Sequence, residues 1–221
     1  MKVTRQQVAK NRQRILEVAG KLFREKGFDG VSVADIMKNA GLTHGAFYGN
    51  FASKDDLAAQ ACANAVAKTL DIWTAWASDK SPDQLGAIVT NYLTPSHRDD
   101  LGGGCVLAAL GADVVRQPGS VRRAITEGIR STVAMLSMIA PGASNAAHRE
   151  KALATLAGLV GALTLARATD DRSLSDEILN AALATLGGKS GATDSPIQTR
   201  LRGANHKKIK GRQTAIPASR N

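Results

Sequence analysis

Glycines at 27, 41, 45 and 49 cut the segment after one long amphipathic helix into short pieces, and they constrain this chain more than any other feature. Upstream of them Ile15, Leu16, Ala19, Leu22 and Phe23 recur at helical spacing while Arg12, Arg14, Lys21 and Arg24 take other faces. That pattern predicts a helix from about Val8 to Lys26, stopped by Gly27. Ser32 then reads as the N-cap of a short helix with Asp35 as capping-box partner, Ile36 and Ala40 facing inward, and Gly41 closing it. After the turn, Thr43 is expected to cap a third helix of about seven residues. Gly45 and Gly49 each cost such a helix about 1 kcal/mol relative to alanine, so packing of Ala46, Phe47 and Phe51 has to hold it.

The rest of the chain follows the same three-to-four rhythm. Ser53 followed by Lys54, Asp55 and Asp56 opens a fourth helix expected to reach about Ala77, and Ser81-Pro82-Asp83-Gln84 reads as an N-cap, a proline at N1 and a glutamine at N3. Further helices are expected over 83–94, 104–117, 119–139, 146–168 and 174–187, with HRDDLGGG, QPG, APGAS and TDDRS as connections. No segment reads as a strand, so the fold class is all-α. Beyond 188 the sequence is rich in Gly, Ser, Pro and basic residues without apolar periodicity, which predicts a disordered basic tail over 189–221.

Charge narrows the partners. The formal net charge is +10, and residues 1–57 hold ten Lys/Arg against six Asp/Glu while residues 189–221 hold eight against one. Basic ends favour a polyanion, nucleic acid before an anionic membrane. Cys62 and Cys105 are far apart, which implies neither a disulfide framework nor a zinc cluster and suits a reducing cytoplasm. The apolar runs at 131–147 and 152–166 fall short of the ~18 to 20 residues that span a bilayer, and no signal-peptide core precedes them. His44, His97, His148 and His206 are scattered and no nucleophile has a local partner, so no enzyme constellation, cofactor or metal site is implied.

One long helix followed by two short ones across a tight glycine turn is the arrangement of a helix-turn-helix unit. The third helix then has Ala46, Phe47 and Phe51 inside and Thr43, His44, Gly45 and Tyr48 outside. Residues 10–57, KNRQRILEVAGKLFREKGFDGVSVADIMKNAGLTHGAFYGNFASKDDL, resemble the DNA-binding domain of the tetracycline-repressor (TetR) family of bacterial transcription regulators. The resemblance implies a helix-turn-helix domain over 1–53 and a helical ligand-binding and dimerisation domain over 54–188. It implies Thr43, His44 and Gly45 at base edges, Tyr48 and Lys54 on phosphate, and Ser32 and Val33 on phosphate at the start of the second helix. Gly49 and Asn50 depart from the family's usual residues and receive no role.

The resemblance further implies a homodimer on a palindromic operator, with a small-molecule effector in the helical domain. Trp73, Trp76, Tyr92, Cys105, Met135 and Met138 are the candidate lining of that pocket. Small residues between leucines in LATLAGLVGALTLARA, with ILNAALATL after it, place Leu156, Gly158, Gly161, Ala162, Leu165, Ile178, Leu179 and Leu183 as the candidate dimer interface. The competing reading is a helical small-molecule binder or helical enzyme that does not bind an operator.

Overall fold

The computed structural model describes residues 4–78 and 81–187, and among them every regular element is helical. Ten helices follow one another: α1 (Arg5–Lys26), α2 (Val33–Asn39), α3 (Gly45–Tyr48), α4 (Lys54–Trp76), α5 (Gln84–Tyr92), α6 (Pro95–Asp99), α7 (Val106–Val114), α8 (Gly119–Ile139), α9 (Asn145–Ala168) and α10 (Arg172–Leu186). The tail expected over 189–221 lies outside the described residues.

Helix α4 organises the fold, packing along α1 with its first half and along α8 with much of its length; α8 packs in turn on α9, and α9 on α10. The expected division at 53/54 falls between the N-cap and first residue of this shared helix, and residues on both sides of it belong to one compact unit. Close approach of α4 and α8 depends on Gly128. A Cβ there would lie 2.7 Å from Cγ2 of Val66. The core continues from Phe23, Phe28, Ile36, Phe47 and Phe51 at one end through Leu57 and Ala61 to Trp73, Tyr92, Leu136, Leu159 and Leu163.

Several helix ends differ from expectation, each for a local reason. Helix α1 starts earlier because Thr4 accepts from the amide of Gln7 at 3.2 Å. Asp83, not Ser81, caps α5, accepting from the Gly86 amide at 2.8 Å while the Ser81 hydroxyl donates to the Asp83 carbonyl. Asp171 caps α10, which starts at Arg172, two residues ahead of the expected start. Helix α3 spans four residues instead of about seven. His44 is its N-cap residue without a side-chain bond, so the expected cap at Thr43 does not form. The two glycines explain the shortness, and the Asn50 side chain takes over by donating to the Ala46 carbonyl at 2.7 Å.

Helix α6 lies inside the segment read as a connection. Five residues are too few for periodicity; its signal is Thr94 capping the His97 amide with Pro95 at the first helical position. Arg98, only 4% exposed, pins this turn to α10 by donating to Ser175 Oγ at 2.9 Å and Asp176 Oδ1 at 2.6 Å. Arg167 of α9 holds it from the other side through the carbonyls of His97 and Arg98, at 2.8 and 3.0 Å.

By length and composition α9 could cross a membrane, unlike the shorter uncharged run at 152–166 within it. Ala152, Leu156, Leu159, Leu163 and Ala166 on that helix are nevertheless buried in the protein core.

Candidate nucleic-acid interface and helical cavity

The first candidate site is built on a small aromatic core. Phe47 and Phe51 are buried, their ring centroids 5.9 Å apart, and the Arg12 guanidinium lies 4.8 Å above the Phe51 ring. Ile36, Met37 and Ala40 complete this core from α2. Gly41 then turns the chain with φ +66°, a backbone conformation that side chains disfavour, and the Leu42 amide bonds back to the Met37 carbonyl at 3.0 Å.

The result is an exposed run carried on a buried base. Thr43, His44, Gly45 and Tyr48 are all exposed, Tyr48 by 68%, and nothing stands within 4 Å of the position a Cβ on Gly45 would take. The Tyr48 ring is fixed edge-on between Phe47 at 5.3 Å and His44 at 5.7 Å. Tyr48 is thus presented to solvent beside those two rings, and the open space at Gly45 leaves room for close approach of another backbone.

Ser32 and Val33 open α2, and Lys54 opens α4. The Ser32 hydroxyl is already occupied: it accepts from the Asp35 amide at 3.1 Å and donates to Asp35 Oδ2 at 2.6 Å. The Ser32 amide is occupied as well, donating to Asp35 Oδ2 at 3.1 Å, so what this turn can offer an anion is the backbone N–H of half-buried Val33. At α4 the Ser53 hydroxyl accepts from the Asp56 amide, and Asp56 Oδ2 accepts from the Ala52 amide, both at 3.0 Å. That amide and the Gln60 side chain hold the Asp56 carboxyl below its ordinary value, and Ser32 does the same for Asp35. Lys54 stands half-buried beside this cap.

The second candidate site is a cavity of about 300 Å³ walled by the second half of α4, the end of α5, α6 and the glycine loop before α7. Trp73, Trp76, Tyr92 and Cys105 line it together. Met135 and Met138 do not. Met138 is 80% exposed, because it lies roughly 200° round α8 from buried Leu136; Met135 is half-buried among core residues. Sequence reasoning missed Ile72, Asn91, Thr94, Ser96, His97 and Asp100 in the lining, most of them because α6 was not anticipated.

His97 is locked in one form. Its Nδ1 lies 2.8 Å from the Tyr92 carbonyl, and its Nε2 accepts from the Cys105 amide at 3.0 Å, so the proton sits on Nδ1 and the ring is neutral. Burial pushes its pKa below the ordinary histidine value. Two physical links connect this cavity with the DNA-contact candidates. One is α4 itself. The other is Arg24 near the end of α1, whose Nε donates to the Gly102 carbonyl at 2.6 Å, immediately before the lining residues Gly103 to Cys105.

The candidate dimer residues separate into two faces. Leu156, Ala162 and Leu179 are buried within the chain itself, and Gly158 sits under Leu186 of α10, where a Cβ would meet Cδ1 at 2.8 Å. These four serve the chain's own packing. Gly161 has open space before it and Leu165 is 60% exposed, while Ile178 and Leu183 are half-buried. The outward stripe also includes Leu153, Ala157 and Leu174, which the small-residue pattern did not indicate. A pattern of small residues between leucines occurs on both faces of α9, so spacing alone does not choose between them.

A short recognition-type helix behind a tight turn, joined through α4 to a cavity-bearing helical body, defines a helix-turn-helix regulator class. Residues 15–61 match the family of bacterial regulatory proteins of the tetR type, and residues 81–182 match the tetracyclin repressor-like C-terminal domain. The chain belongs to the TetR family. It is 44% identical over 54 residues to the HTH-type transcriptional regulator AcrR of Shigella flexneri, covering 24% of this chain and 25% of that one. An HTH-type regulator of Staphylococcus aureus is 39% identical over 69 residues, 31% of this chain and 35% of the relative. The chain thus spans about a quarter to a third of these relatives. The fold extends much further. The crystal structure of E. coli NemR in its reduced form aligns over 80% of this chain and 95% of its own with TM-score 0.67 and 22% identity. A TetR regulator from Chloroflexus aurantiacus aligns over 82% and 94% with TM-score 0.69, also at 22% identity.

Proposed function

We propose that this protein is a ligand-responsive transcriptional repressor that binds a palindromic operator as a homodimer in the cytoplasm. The observation that carries the reading is the exposed Thr43–Tyr48 run held on buried Phe47 and Phe51, within the segment that matches the family's DNA-binding domain. Thr43, His44 and Gly45 read base edges in the major groove. Tyr48, Lys54 and, at the Ser32–Val33 turn, the Val33 amide contact phosphate and fix the register.

The exposed stripe of α9 and α10, with Leu153, Gly161, Leu165 and Leu174, supports self-association. A two-fold dimer presents two recognition units, matching a palindrome. The effector enters the cavity against Ile72, Trp73 and Trp76 of α4. The same helix starts at Lys54, and it is tied to α1 by the Arg12 guanidinium, which donates to Gln60, and by the Glu17–Lys68 pair at 2.6 Å. A ligand that favours one tilt of α4 therefore favours one separation of the two recognition units, provided that its affinity differs between the two tilts.

The test is fluorescence anisotropy of the full chain with DNA flanking its own gene. Binding that is sequence-selective, salt-sensitive and of dimer stoichiometry supports the reading; equal binding to scrambled DNA rejects it.

A further inference from the structure

The glycine run at 102–104, between α6 and α7, lies directly on α1. Gly102 is buried, and a Cβ there would stand 2.5 Å from Glu25 Oε1 and 2.9 Å from Lys21 Cγ, so glycine is what lets the loop backbone reach the helix. At this contact Arg24 Nε donates to the Gly102 carbonyl at 2.6 Å, across 78 residues of sequence. Among the described residues this is the only hydrogen bond of the Arg24 side chain. The side chain is half-buried, and burial pushes its pKa below the ordinary arginine value. A charge-assisted bond taken partly out of water is stronger than the same bond in solvent.

Beyond Gly102 the loop is bonded to α6 at every step. The Gly103 amide donates to Asp100 Oδ1 at 2.8 Å, the Gly104 amide to the Asp100 carbonyl at 3.1 Å, and the Cys105 amide to His97 Nε2 at 3.0 Å. All five of these residues line the cavity. The cavity wall and the acceptor that holds Arg24 are therefore consecutive residues of one hydrogen-bonded run, and a shift of the wall is felt at Gly102.

On the other side Arg24 adjoins a stiff exit from α1. The Gly27 amide bonds to the Phe23 carbonyl at 2.8 Å, and the buried rings of Phe23 and Phe28 lie 5.3 Å apart. Val31 is buried just before α2, whose Ile36 and Met37 share the core with Phe47 of α3. This path enters the recognition helix through α2, whereas α4 approaches it from Lys54.

We infer that Arg24 is a positioning residue: by holding the Gly102 carbonyl it ties the cavity wall to α1 and gives the regulator a route from cavity to recognition helix that does not run along α4. The inference rests on the proposed reading of a ligand-responsive regulator. Coupling between two binding sites is reciprocal, so DNA itself serves as the probe and no effector is needed.

Hydrogen exchange read by mass spectrometry on the full chain, free and saturated with DNA flanking its own gene, follows the peptide over 101–106. The parent is compared with Arg24→Met, which keeps an apolar stem without a donor, and with Arg24→Lys, which restores a cation able to donate. In the free protein Arg24→Met should exchange about tenfold faster at 101–106, the range of one charge-assisted hydrogen bond, while α9 is unchanged. DNA should slow this peptide about fivefold in the parent and in Arg24→Lys and leave it unaltered in Arg24→Met. Should Arg24→Met fail to fold, Gly102→Ala, whose methyl displaces the loop from α1, is measured in its place.

Arg24→Met that exchanges like the parent, slowing by DNA that persists in Arg24→Met, or slowing shared equally by α9 overturns the inference. Operator selection is scored separately by anisotropy. A parent that selects DNA while its loop response is absent or independent of Arg24 removes this route alone. A parent that selects no DNA removes the regulator reading, and the route with it.

Discussion

In the proposed reading Lys54 and His44 divide the work of a DNA surface between positioning and reading. Lys54 offers a single charge at the start of α4, so Lys54→Ala should weaken all sequences alike and lower the slope of log affinity against log salt by about 1. An unchanged slope removes Lys54 from the interface. Gly128 makes a different kind of demand. A methyl there meets Val66, a β-branched side chain only 6% exposed, so the α4–α8 contact has no slack. Gly128→Ala should cost about 1 to 3 kcal/mol in urea unfolding, and a variant as stable as the parent would show that the two helices can separate freely. At this scale the sequence was legible where chemistry and period agree, as at Phe47 and Phe51. It was illegible at Met135 and Met138, whose suitability for a cavity says nothing about which way α8 is rotated.

At the scale of the element, side-chain caps hold the starts of α2 and α4. Asp35 and Asp56 have folded pKa values depressed below the ordinary 3.8. Their contribution is fully present above that value and is lost as pH falls through the lower folded values. Circular dichroism should therefore show stability declining below about pH 4, and Asp35→Asn with Asp56→Asn should reduce that acid dependence; an identical acid limb in the double variant would contradict the role given to the caps. Helix existence followed from periodicity for the long helices α1, α4, α8 and α9. The starts of α5, α6 and α10 did not, because several Ser, Thr and Asp residues compete to cap each of them and only geometry selects one. The four polar residues from Thr94 to Asp100 that line the cavity were lost with α6.

In the proposed reading the whole molecule couples a cavity to a recognition surface through α4 and through Arg24, and doubles that unit by self-association. Leu165 is the large apolar residue most exposed on α9, which makes Leu165→Glu the direct probe of the dimer. The variant should keep its helical content while sedimenting as a monomer, and its operator affinity should drop by at least tenfold; dimeric sedimentation would move the interface elsewhere. Division of the chain into a DNA-binding end and a helical body was legible from the resemblance of residues 10–57. The detailed partition of α9 between inward and outward faces was not, since both stripes carry leucine and small residues.

The central claim is that Thr43–Tyr48 reads DNA sequence, and a competition measurement tests it most directly. Full-length protein and His44→Ala are titrated against DNA flanking the protein's own gene, intact and with single base pairs exchanged. The account predicts that the parent discriminates by about 1 to 3 kcal/mol at particular base pairs and that His44→Ala loses this discrimination at a subset of them while retaining overall salt-dependent binding. Discrimination by His44→Ala equal to the parent's at every position, or a parent that binds all the sequences alike, would contradict it.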